Sequence, residues 1–369
     1  MKTIAIIGGG TGGVTAANKL YHNLKDEVER NLVKIVLFDK KDYHVFYPGL
    51  LFYSLGLLDE EDVLVKNIKD LINPGIELKI EEVTEVNLDD RKIITVNKKE
   101  YSYDYLVIST GVEYNWERIP GLRGNMLTFY DLDGARKIRN LLQNIKEGTT
   151  IVISVTKLPY PCIPVPMSFA ILLKDLFKDK INVIYTAPVA PEDFIEEIFN
   201  KKGIEDRSPL IVESVTKNSI KFQDGEEIKY DLLIGVPPAE GTNLAKTLPF
   251  SSKSGWLTVD RNTLNPLDYN EVFVIGDATD FSGIKTIASA VSQADVVSKR
   301  ITEEISGGEA KTKYDGFVSC FIITELGKAV MSTYNYDTHL PYSPPSEFLW
   351  NFAFRFHKIY WDYIALSSP

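Results

Sequence analysis

Continuous apolar runs recur along the chain and predict strands that are buried on both faces. Polar or glycine-rich turns follow these runs, and several lead into stretches with the apolar spacing of a helix. The runs span residues 3–7, 34–38, 105–108, 150–155, 181–185 and 271–275. Buried strands that alternate with helices predict an α/β fold with mostly parallel sheets.

A glycine-rich turn of the form G-x-G-x-x-G follows the first predicted strand and opens a helix. In this context Gly8 permits the tight turn, Gly10 lets the backbone approach a pyrophosphate, and Gly13 lets helix and strand pack closely. The helix N-terminus stabilises the phosphate charge. Because the second strand ends at Asp39, which is placed to hydrogen-bond a ribose hydroxyl, the pattern predicts a dinucleotide site.

A second unit of the same kind is predicted from a strand at 150–155, a helix at 167–177 and a strand at 181–185. Its turn reads LPYPCIPVPMSF, and residues 149–202 contain no glycine. Prolines lack the N–H groups that bind a phosphate, and side chains block its close approach, so we expect no NADH site here. Cys162 lies in this turn, where the following helix N-terminus favours a thiolate.

Composition narrows the classes of function. With 369 residues, 44% of them hydrophobic, and a net charge of −10, the chain is typical of a globular protein and a poor candidate for binding nucleic acid. A secretory signal and an apolar run of about 18 residues are both missing, so we expect a cytoplasmic protein without a spanning helix. Scarce glutamine weakly favours a thermophilic source. Two cysteines are too few for a disulfide framework, and no metal site is predicted.

The end of the chain, residues 347–364, predicts an amphipathic helix rich in aromatic residues. Its apolar face comprises Phe348, Leu349, Phe352, Phe356, Ile359, Tyr360 and Tyr363, and its polar face Asn351, Arg355, Lys358 and Asp362. Such a helix is typical of one that lies in a bilayer surface, which predicts peripheral attachment at the cytoplasmic face of the membrane. The alternative is a helix packed against the body or a dimer partner.

Two later motifs resemble those of flavoproteins with two dinucleotide-binding domains. Residues 105–111 read as a strand that ends in Thr-Gly, and residues 271–278 as a strand that ends in Gly-Asp. In that superfamily the acid of the late motif lies against FAD, a role that the resemblance gives to Asp277. The resemblance implies FAD at the first site, held by Gly8, Gly10, Gly13, Asp39, Lys40, Thr110, Gly111, Gly276, Asp277 and Lys285.

Within that superfamily the chain resembles the sulfide:quinone oxidoreductases, which are similar to flavocytochrome c sulfide dehydrogenase and to type II NADH dehydrogenases. The matching segments, which run from the first strand to about Asn335, are Asp39 with residues 42–48, residues 162–166, 231–238 and 276–278, Lys285 with 288–290, and Cys320 with 327–328. The paired cysteines and the absent second glycine motif separate the sulfide branch from the NADH branch.

The resemblance implies a disulfide or polysulfide bridge between Cys162 and Cys320 on one face of the flavin. Sulfide attacks the bridge, the released thiolate, assigned to Cys320, passes two electrons to FAD, and the sulfur stays on the partner as a persulfide. Lys285 is a third catalytic candidate. Electrons then pass to a membrane quinone, and the candidates to hold the quinone ring are Phe317, Phe321 and Phe352.

Two departures from the family pattern limit what is carried over. No cysteine precedes Cys162, so FAD is expected to bind noncovalently. Ser168 stands six residues beyond Cys162, where many members have Glu or Lys. The general base for sulfide is therefore unassigned, with His44 or a residue of the flavin pocket as candidates.

The predicted organisation is an FAD-binding domain in two parts, 1–113 and 251–310, a second Rossmann-like domain at 114–250, and a C-terminal quinone and membrane segment at 311–369. A homo-oligomer is compatible with this organisation. Two alternative functions stay open. A type II NADH:quinone oxidoreductase would need the missing glycine turn, and a non-catalytic flavin-binding subunit is favoured by Ser168.

Overall fold

The computed structural model describes residues 1–59, 63–281 and 285–366. The strands in chain order are β1 (Lys2–Ile7), β2 (Val33–Asp39), β3 (Tyr43–Val45), β4 (Val65–Asn67), β5 (Ile76–Ile80), β6 (Val83–Asn87), β7 (Lys92–Thr95), β8 (Glu100–Ser102), β9 (Tyr105–Ile108), β10 (Val112–Tyr114), β11 (Thr149–Val155), β12 (Ile181–Thr186), β13 (Ile204–Asp206), β14 (Val212–Val215), β15 (Ser219–Phe222), β16 (Glu227–Lys229), β17 (Leu232–Val236), β18 (Ala239–Gly241), β19 (Val272–Val274), β20 (Val318–Glu325) and β21 (Lys328–Tyr334).

The α-helices are α1 (Thr11–Asn23), α2 (Lys25–Glu29), α3 (Gly49–Ser54), α4 (Leu132–Leu142), α5 (Val165–Phe177), α6 (Asp193–Lys202), α7 (Asn243–Lys246), α8 (Ile287–Ile305) and α9 (Glu347–Ile359). A π-helix, Tyr360–Ala365, continues directly from α9. Short 3-10 turns lie at Ile68–Leu71, Trp116–Arg118, Lys178–Lys180 and Gly276–Ala278. The predicted mixed α/β class is confirmed.

The first sheet is parallel and has the strand order β19-β9-β1-β2-β5. Its central strand is buried on both faces: Ile4 and Ile6 pack into the core beneath α1 and α8, whereas Ala5 and Ile7 pack into a second core on the other face. This two-sided burial is the physical reason for the continuous apolar run. Since β9 and β19 lie side by side, Thr110 and Gly276, which follow them, meet at the same edge as the glycine-rich turn.

The second sheet is also parallel and has the order β13-β12-β11-β17. Helix α5 covers one face and contributes Phe169, Leu172 and Leu173 to the core, all of them fully buried. Pro166 occupies the first turn of α5, as its fixed φ predicts. The turn between β11 and α5 therefore ends at the carboxyl edge of this sheet, where nucleotide-binding folds hold their ligands.

The antiparallel hairpin β20–β21 carries Cys320 and packs on α5. Ile322 and Ile323 of β20 belong to the same hydrophobic core as the α5 side chains. Two residues far apart in sequence, Cys162 before α5 and Cys320 on β20, are thus brought to one place by apolar packing.

The buried side chains of the C-terminal segment do not lie on the single apolar face that was predicted. Trp350 and Phe354 of α9 pack edge-on against Phe52, with ring centroids 5.7 and 5.2 Å away, although neither was assigned to the apolar face. Tyr360 is fully buried, whereas Phe348, assigned to the same face, is 73% exposed. The single-face prediction is wrong because the helix has apolar side chains on several sides and the π-helix changes the spacing after Ile359.

In the described ranges no helix combines the length and the apolar character that a membrane crossing requires.

Candidate functional site

The glycine-rich turn is shaped by close backbone contacts at two of its glycines. Gly8 has a φ of +104°, and a Cβ there would lie 2.3 Å from the Ser109 carbonyl oxygen. A Cβ on Gly13 would lie 1.8 Å from the Gly8 oxygen. A Cβ on Gly10, by contrast, would meet no atom of the described chain within 4 Å. Gly10 therefore borders open space at the N-terminus of α1, where a phosphate group is stabilised.

Asp39 ends β2 beside this turn. Its Oδ2 accepts a hydrogen bond from the Gly9 N–H at 2.5 Å, and its Oδ1 accepts one from the Lys41 N–H at 2.7 Å. The next residue, Lys40, is exposed and forms an ion pair with Glu113 at 3.3 Å. The carboxylate is thus held at the edge of the turn, while the Lys40 ammonium lies at the surface.

The turns after β9 and β19 lie at the same edge of the first sheet as the glycine-rich turn. The Thr110 hydroxyl is buried and has no hydrogen-bond partner among the described residues. Gly111 and Gly276 have φ values of +65° and +70°, and the Gly276 N–H donates to Gln293 Oε1 at 2.6 Å. Burial raises the pKa of the Asp277 carboxyl, and the Lys285 ammonium partly opposes this. Three features of this edge fit a bound dinucleotide: the open space at Gly10, the unpartnered hydroxyl of Thr110 and the half-buried carboxyl of Asp277.

A cleft of about 710 Å³ opens next to Asp39, between the segment that follows β2 and the start of α4. Aromatic and charged side chains both line it. They include Lys41, Tyr43, Tyr47, Trp116, Asp131 and Arg136. A mixed lining of this kind suits a ligand with an aromatic base and charged groups.

Lys285 links the cofactor edge to the cysteine turn. Its side chain is 1% exposed, and its Nζ donates to the carbonyl oxygens of Asp277 and Thr279 at 2.8 and 2.5 Å. The ammonium also lies 4.0 Å from the ring centre of Trp256. Burial lowers the pKa of Lys285 to about 8, although Asp277 acts in the opposite direction. The Lys285 carbonyl accepts a hydrogen bond from the Cys162 N–H at 2.8 Å.

The two cysteines meet as the resemblance implies. Their Sγ atoms are 4.0 Å apart, although the residues are separated by 158 positions, and both thiols are free and half-buried. Cys162 adopts a left-handed backbone with φ +54°, and its carbonyl accepts a hydrogen bond from the Tyr130 hydroxyl at 3.3 Å. At this distance the sulfurs are in contact but not bonded, because a disulfide bond is about 2.05 Å long.

The prediction that the helix dipole favours a Cys162 thiolate is wrong for the dithiol form. The hydrogen bond with Cys320 and burial raise the pKa of Cys162 well above its usual value. Helix α5 begins at Val165, three residues after the thiol, and the dipole effect decays within about one turn. The neighbouring thiol and the loss of water therefore outweigh it.

Ser168 has a structural partner that the sequence did not indicate. Its Oγ accepts a hydrogen bond from the Ile323 N–H at 3.1 Å, so the first turn of α5 is bound to β20 three residues beyond Cys320. Asp175, further along α5, accepts a second bond from the Leu326 N–H at 2.7 Å. These two contacts fix the hairpin to the helix that follows Cys162.

His44, a candidate base, has both ring nitrogens engaged. Nδ1 lies 2.8 Å from the Gly9 carbonyl oxygen, and Nε2 lies 2.6 Å from the Tyr360 hydroxyl. Burial lowers the pKa of His44 to about 4. A histidine held in this way is a part of the glycine-rich turn and has no nitrogen left to take a proton from sulfide.

The aromatic candidates for the quinone ring are only partly brought together. Phe321, next to Cys320, lies 5.5 Å from Phe352 and 6.5 Å from Phe356, measured between ring centres. Phe317 is 38% exposed and lies just before β20, where its carbonyl accepts a hydrogen bond from Tyr314. Phe321 and Phe352 thus form one half-buried aromatic surface, and Phe317 stands outside it.

In the ranges that the structure describes, no three His, Cys, Asp or Glu side chains are grouped so that they could hold a metal ion.

Comparison with known proteins identifies relatives over most of the chain. Residues 2–154 match the family model of the pyridine nucleotide-disulphide oxidoreductases. The mitochondrial sulfide:quinone oxidoreductase of Dictyostelium discoideum is 26% identical over an alignment that covers 97% of this chain and 85% of that protein. A type II NADH:quinone oxidoreductase of Staphylococcus aureus is 24% identical, with 88% of each chain covered.

The fold is also that of a solved relative. The crystal structure of the sulfide:quinone oxidoreductase from Aquifex aeolicus superposes with a TM-score of 0.86 and 18% identity, covering 99% of this chain and 92% of that chain. The resemblance to sulfide:quinone oxidoreductases is confirmed: residues 2–154 match an oxidoreductase family model, and nearly the whole chain is similar to named sulfide:quinone oxidoreductases.

Gly10→Ala and Gly13→Ala should separate cofactor binding from folding. Gly10 has φ −74°, which alanine adopts without strain, so Gly10→Ala should leave the melting temperature of the FAD-free protein within about 2 °C of wild type. Its methyl group occupies the open space, so the Kd for FAD should rise at least tenfold. Gly13→Ala should instead destabilise the FAD-free protein by roughly 1–3 kcal/mol. Equal melting temperatures for the two variants would contradict this assignment.

Ser168→Ala should loosen the hairpin that carries Cys320, because the buried Ile323 N–H loses its acceptor. We expect the equilibrium between the Cys162–Cys320 disulfide and dithiothreitol to shift about tenfold towards the dithiol. Ser154→Ala is the matched control, since Ser154 is fully buried and accepts a bond from Thr186 at 2.9 Å away from the hairpin. A disulfide equilibrium unchanged by Ser168→Ala would show that this contact does not position the thiols.

Proposed function

We propose that the protein binds FAD noncovalently and oxidises sulfide through the Cys162–Cys320 pair, with a membrane quinone as the final electron acceptor. The observation that carries this proposal is the 4.0 Å approach of the two sulfurs in a turn whose backbone is bound to Lys285. Lys285 is at the same time bound to the Asp277 turn of the cofactor edge. The named relatives that cover most of the chain support the same activity.

FAD would be held by the glycine-rich turn and α1 at its pyrophosphate, by Asp39 at its ribose, and by Asp277 near its ribityl chain. Thr110 and Gly111 face the same edge, and Lys40 stands at its rim. When bound, FAD supplies a two-electron acceptor for the thiols and a donor for the quinone. The remaining steps of the proposed reaction are assigned to residues of the chain.

The sulfur chemistry starts from the oxidised pair. Hydrosulfide attacks Cys162 Sγ, the bond between the two cysteines breaks, Cys162 carries the added sulfur as a persulfide, and Cys320 leaves as a thiolate. The persulfide then loses its proton to solvent and joins the Cys320 thiolate through the added sulfur, which gives a trisulfide; the two electrons released in this oxidation would go to FAD. Cys320 is assigned as the sulfur released, as the resemblance implies, while the backbone of Cys162 stays bound to Lys285 and to Tyr130.

The second half-reaction is assigned to the aromatic surface of Phe321 and Phe352. Phe321 follows Cys320 in strand β20, so its ring points to the opposite face of the hairpin from the thiol, and a quinone stacked on it would not compete with sulfide for the cysteines. Phe317, exposed at the start of the hairpin, would line the approach. The open side of α9, with Phe348, Arg355 and Lys358, is the part of the segment that would meet a bilayer.

NADH oxidation is the competing function, because a type II NADH:quinone oxidoreductase is among the relatives. The β11–α5 turn argues against it. Pro164 is the N-cap residue of α5 and has no N–H that could bind a phosphate. Its side chain also makes no capping hydrogen bond to the helix. A non-catalytic flavin-binding subunit is the third candidate, and the same experiment separates it.

Anaerobic addition of stoichiometric sulfide to the FAD-bound protein should bleach the flavin absorption, and a short-chain quinone should restore it. NADH at the same concentration should leave the spectrum unchanged. Cys162→Ala and Cys320→Ala should each abolish bleaching by sulfide, because the bridge cannot form. Ser332→Ala, which changes the residue opposite Cys320 on β21, is the matched control and should still bleach.

Each other outcome of this titration has a meaning. A spectrum unchanged by sulfide would overturn the proposed activity. Rapid bleaching by NADH would support the NADH-oxidising alternative. A flavin that reacts with neither sulfide, NADH nor other thiols would favour the non-catalytic flavin-binding subunit.

Membrane attachment should depend on the exposed aromatic residues of the C-terminal segment. Phe348 and Tyr363 are 73% and 62% exposed, so the double variant Phe348→Ser, Tyr363→Ser should weaken binding to anionic lipid vesicles about tenfold in a sedimentation assay. Leu267→Ser is the control, because Leu267 is 90% exposed but lies outside this segment. Equal loss in both variants, or none, would contradict attachment through α9 and the π-helix that follows it.

A further inference from the structure

Tyr360 lies where the C-terminal π-helix crosses the glycine-rich turn. Its side chain is fully buried, and its ring packs 4.8 Å from that of Phe46. Its hydroxyl oxygen is 2.6 Å from His44 Nε2 and 2.7 Å from Thr11 Oγ1. A residue from the end of the chain therefore contacts both the first turn of α1 and the histidine that is bound to Gly9.

The direction of each hydrogen bond in this group follows from its partners. The Gly9 carbonyl can only accept, so His44 Nδ1 carries the proton and donates at 2.8 Å. Burial keeps the imidazole neutral by lowering its pKa to about 4, so Nε2 is an acceptor and the Tyr360 hydroxyl donates to it. The Tyr360 oxygen is then free to accept from the Thr11 hydroxyl.

Gly9 is held from both of its backbone groups. Its N–H donates to Asp39 at 2.5 Å, and its carbonyl accepts from His44. The two neighbours of this residue in the turn are Gly10, which faces open space, and Gly8, which is bound to the Phe38 carbonyl at 2.8 Å. The orientation of the peptide that meets the phosphate is thus determined by Asp39 on one side and by the His44–Tyr360 pair on the other.

Other contacts anchor the π-helix without the Tyr360 hydroxyl. The Trp361 Nε1–H donates to the Val63 carbonyl at 2.8 Å, and the Asn18 side chain donates to the Ala365 carbonyl at 2.7 Å. Removal of this one hydroxyl should therefore leave the segment docked. Its effect on the turn can be measured separately from its effect on folding.

We propose that Tyr360 is a positioning residue for FAD: through His44 and Thr11 it holds the glycine-rich turn in the conformation that binds the pyrophosphate. This inference rests on the part of the proposed function that assigns FAD to this turn. The C-terminal segment is then a component of the cofactor site and not only a contact for quinone or membrane.

Tyr360→Phe is the direct test, because it keeps the ring and removes the hydroxyl. We expect the Kd for FAD of the refolded FAD-free protein to rise about tenfold, with faster FAD release. Tyr230→Phe is the matched control, since Tyr230 is 6% exposed and its hydroxyl donates to the Thr216 carbonyl in another sheet. Each variant removes a buried hydroxyl, with the bonds to His44 and Thr11 in one case and to Thr216 in the other, but only Tyr360→Phe should change the affinity for FAD.

A double-mutant cycle with Thr11→Val adds a second readout. Because Tyr360 and Thr11 share one hydrogen bond, the double variant should bind FAD about as weakly as the worse single variant, instead of showing the product of the two effects. A Kd within twofold of wild type in a folded Tyr360→Phe protein would overturn the inference, as would fully multiplicative effects. Failure of the wild-type protein to bind FAD would instead overturn the proposed function.

Discussion

The hydrogen bond from the Cys162 N–H to the Lys285 carbonyl, 2.8 Å long, joins the two halves of the site. Lys285 in turn places its ammonium on the carbonyls of Asp277 and Thr279 and against the Trp256 ring. A buried cation is tolerated only where such partners replace its water. Movement of the cysteine turn away from the edge formed by the Asp277 turn would therefore leave buried polar groups without partners, and this cost keeps the thiols beside that edge.

The cysteine turn lies where a strand–turn–helix unit would bind a phosphate, but it carries a thiol instead of a phosphate-binding backbone. The left-handed backbone at Cys162, φ +54°, is a conformation that glycine adopts freely and cysteine does not. Lys285 and Tyr130 bind the N–H and the carbonyl of this residue, so its neighbours supply the free energy that offsets the strain. The prolines that follow remove the donors a phosphate would need, and the turn presents a sulfur atom in their place.

The parts of the site that could be predicted from sequence are those with local rules. The glycine spacing, the acid at the end of β2 and the proline in the first turn of α5 each follow from the backbone geometry of a strand–turn–helix unit. Ser168 and Tyr360 follow no such rule, because their partners, Ile323 and Thr11, are far away in the chain and depend on tertiary packing. For the same reason the pKa of Cys162 was predicted in the wrong direction: helix position is visible in a sequence, whereas the burial of the thiol and its hydrogen bond with Cys320 depend on tertiary packing.

Helical spacing alone also failed to predict how α9 packs. The physical reason concerns the surface proposed for the quinone. A helix with apolar side chains on several sides has several partner surfaces. Trp350 meets Phe52 in the core, Phe352 meets Phe321 beside Cys320, and Phe348 points outward. Phe348 and Phe352 are four residues apart on one side of α9, and their ring centres are 6.4 Å apart, so the exposed Phe348 ring continues directly into the aromatic surface of Phe321 and Phe352. If the proposed membrane attachment through Phe348 holds, the proposed quinone site at Phe321 and Phe352 adjoins the attached side of α9, and an apolar quinone would reach it without crossing water.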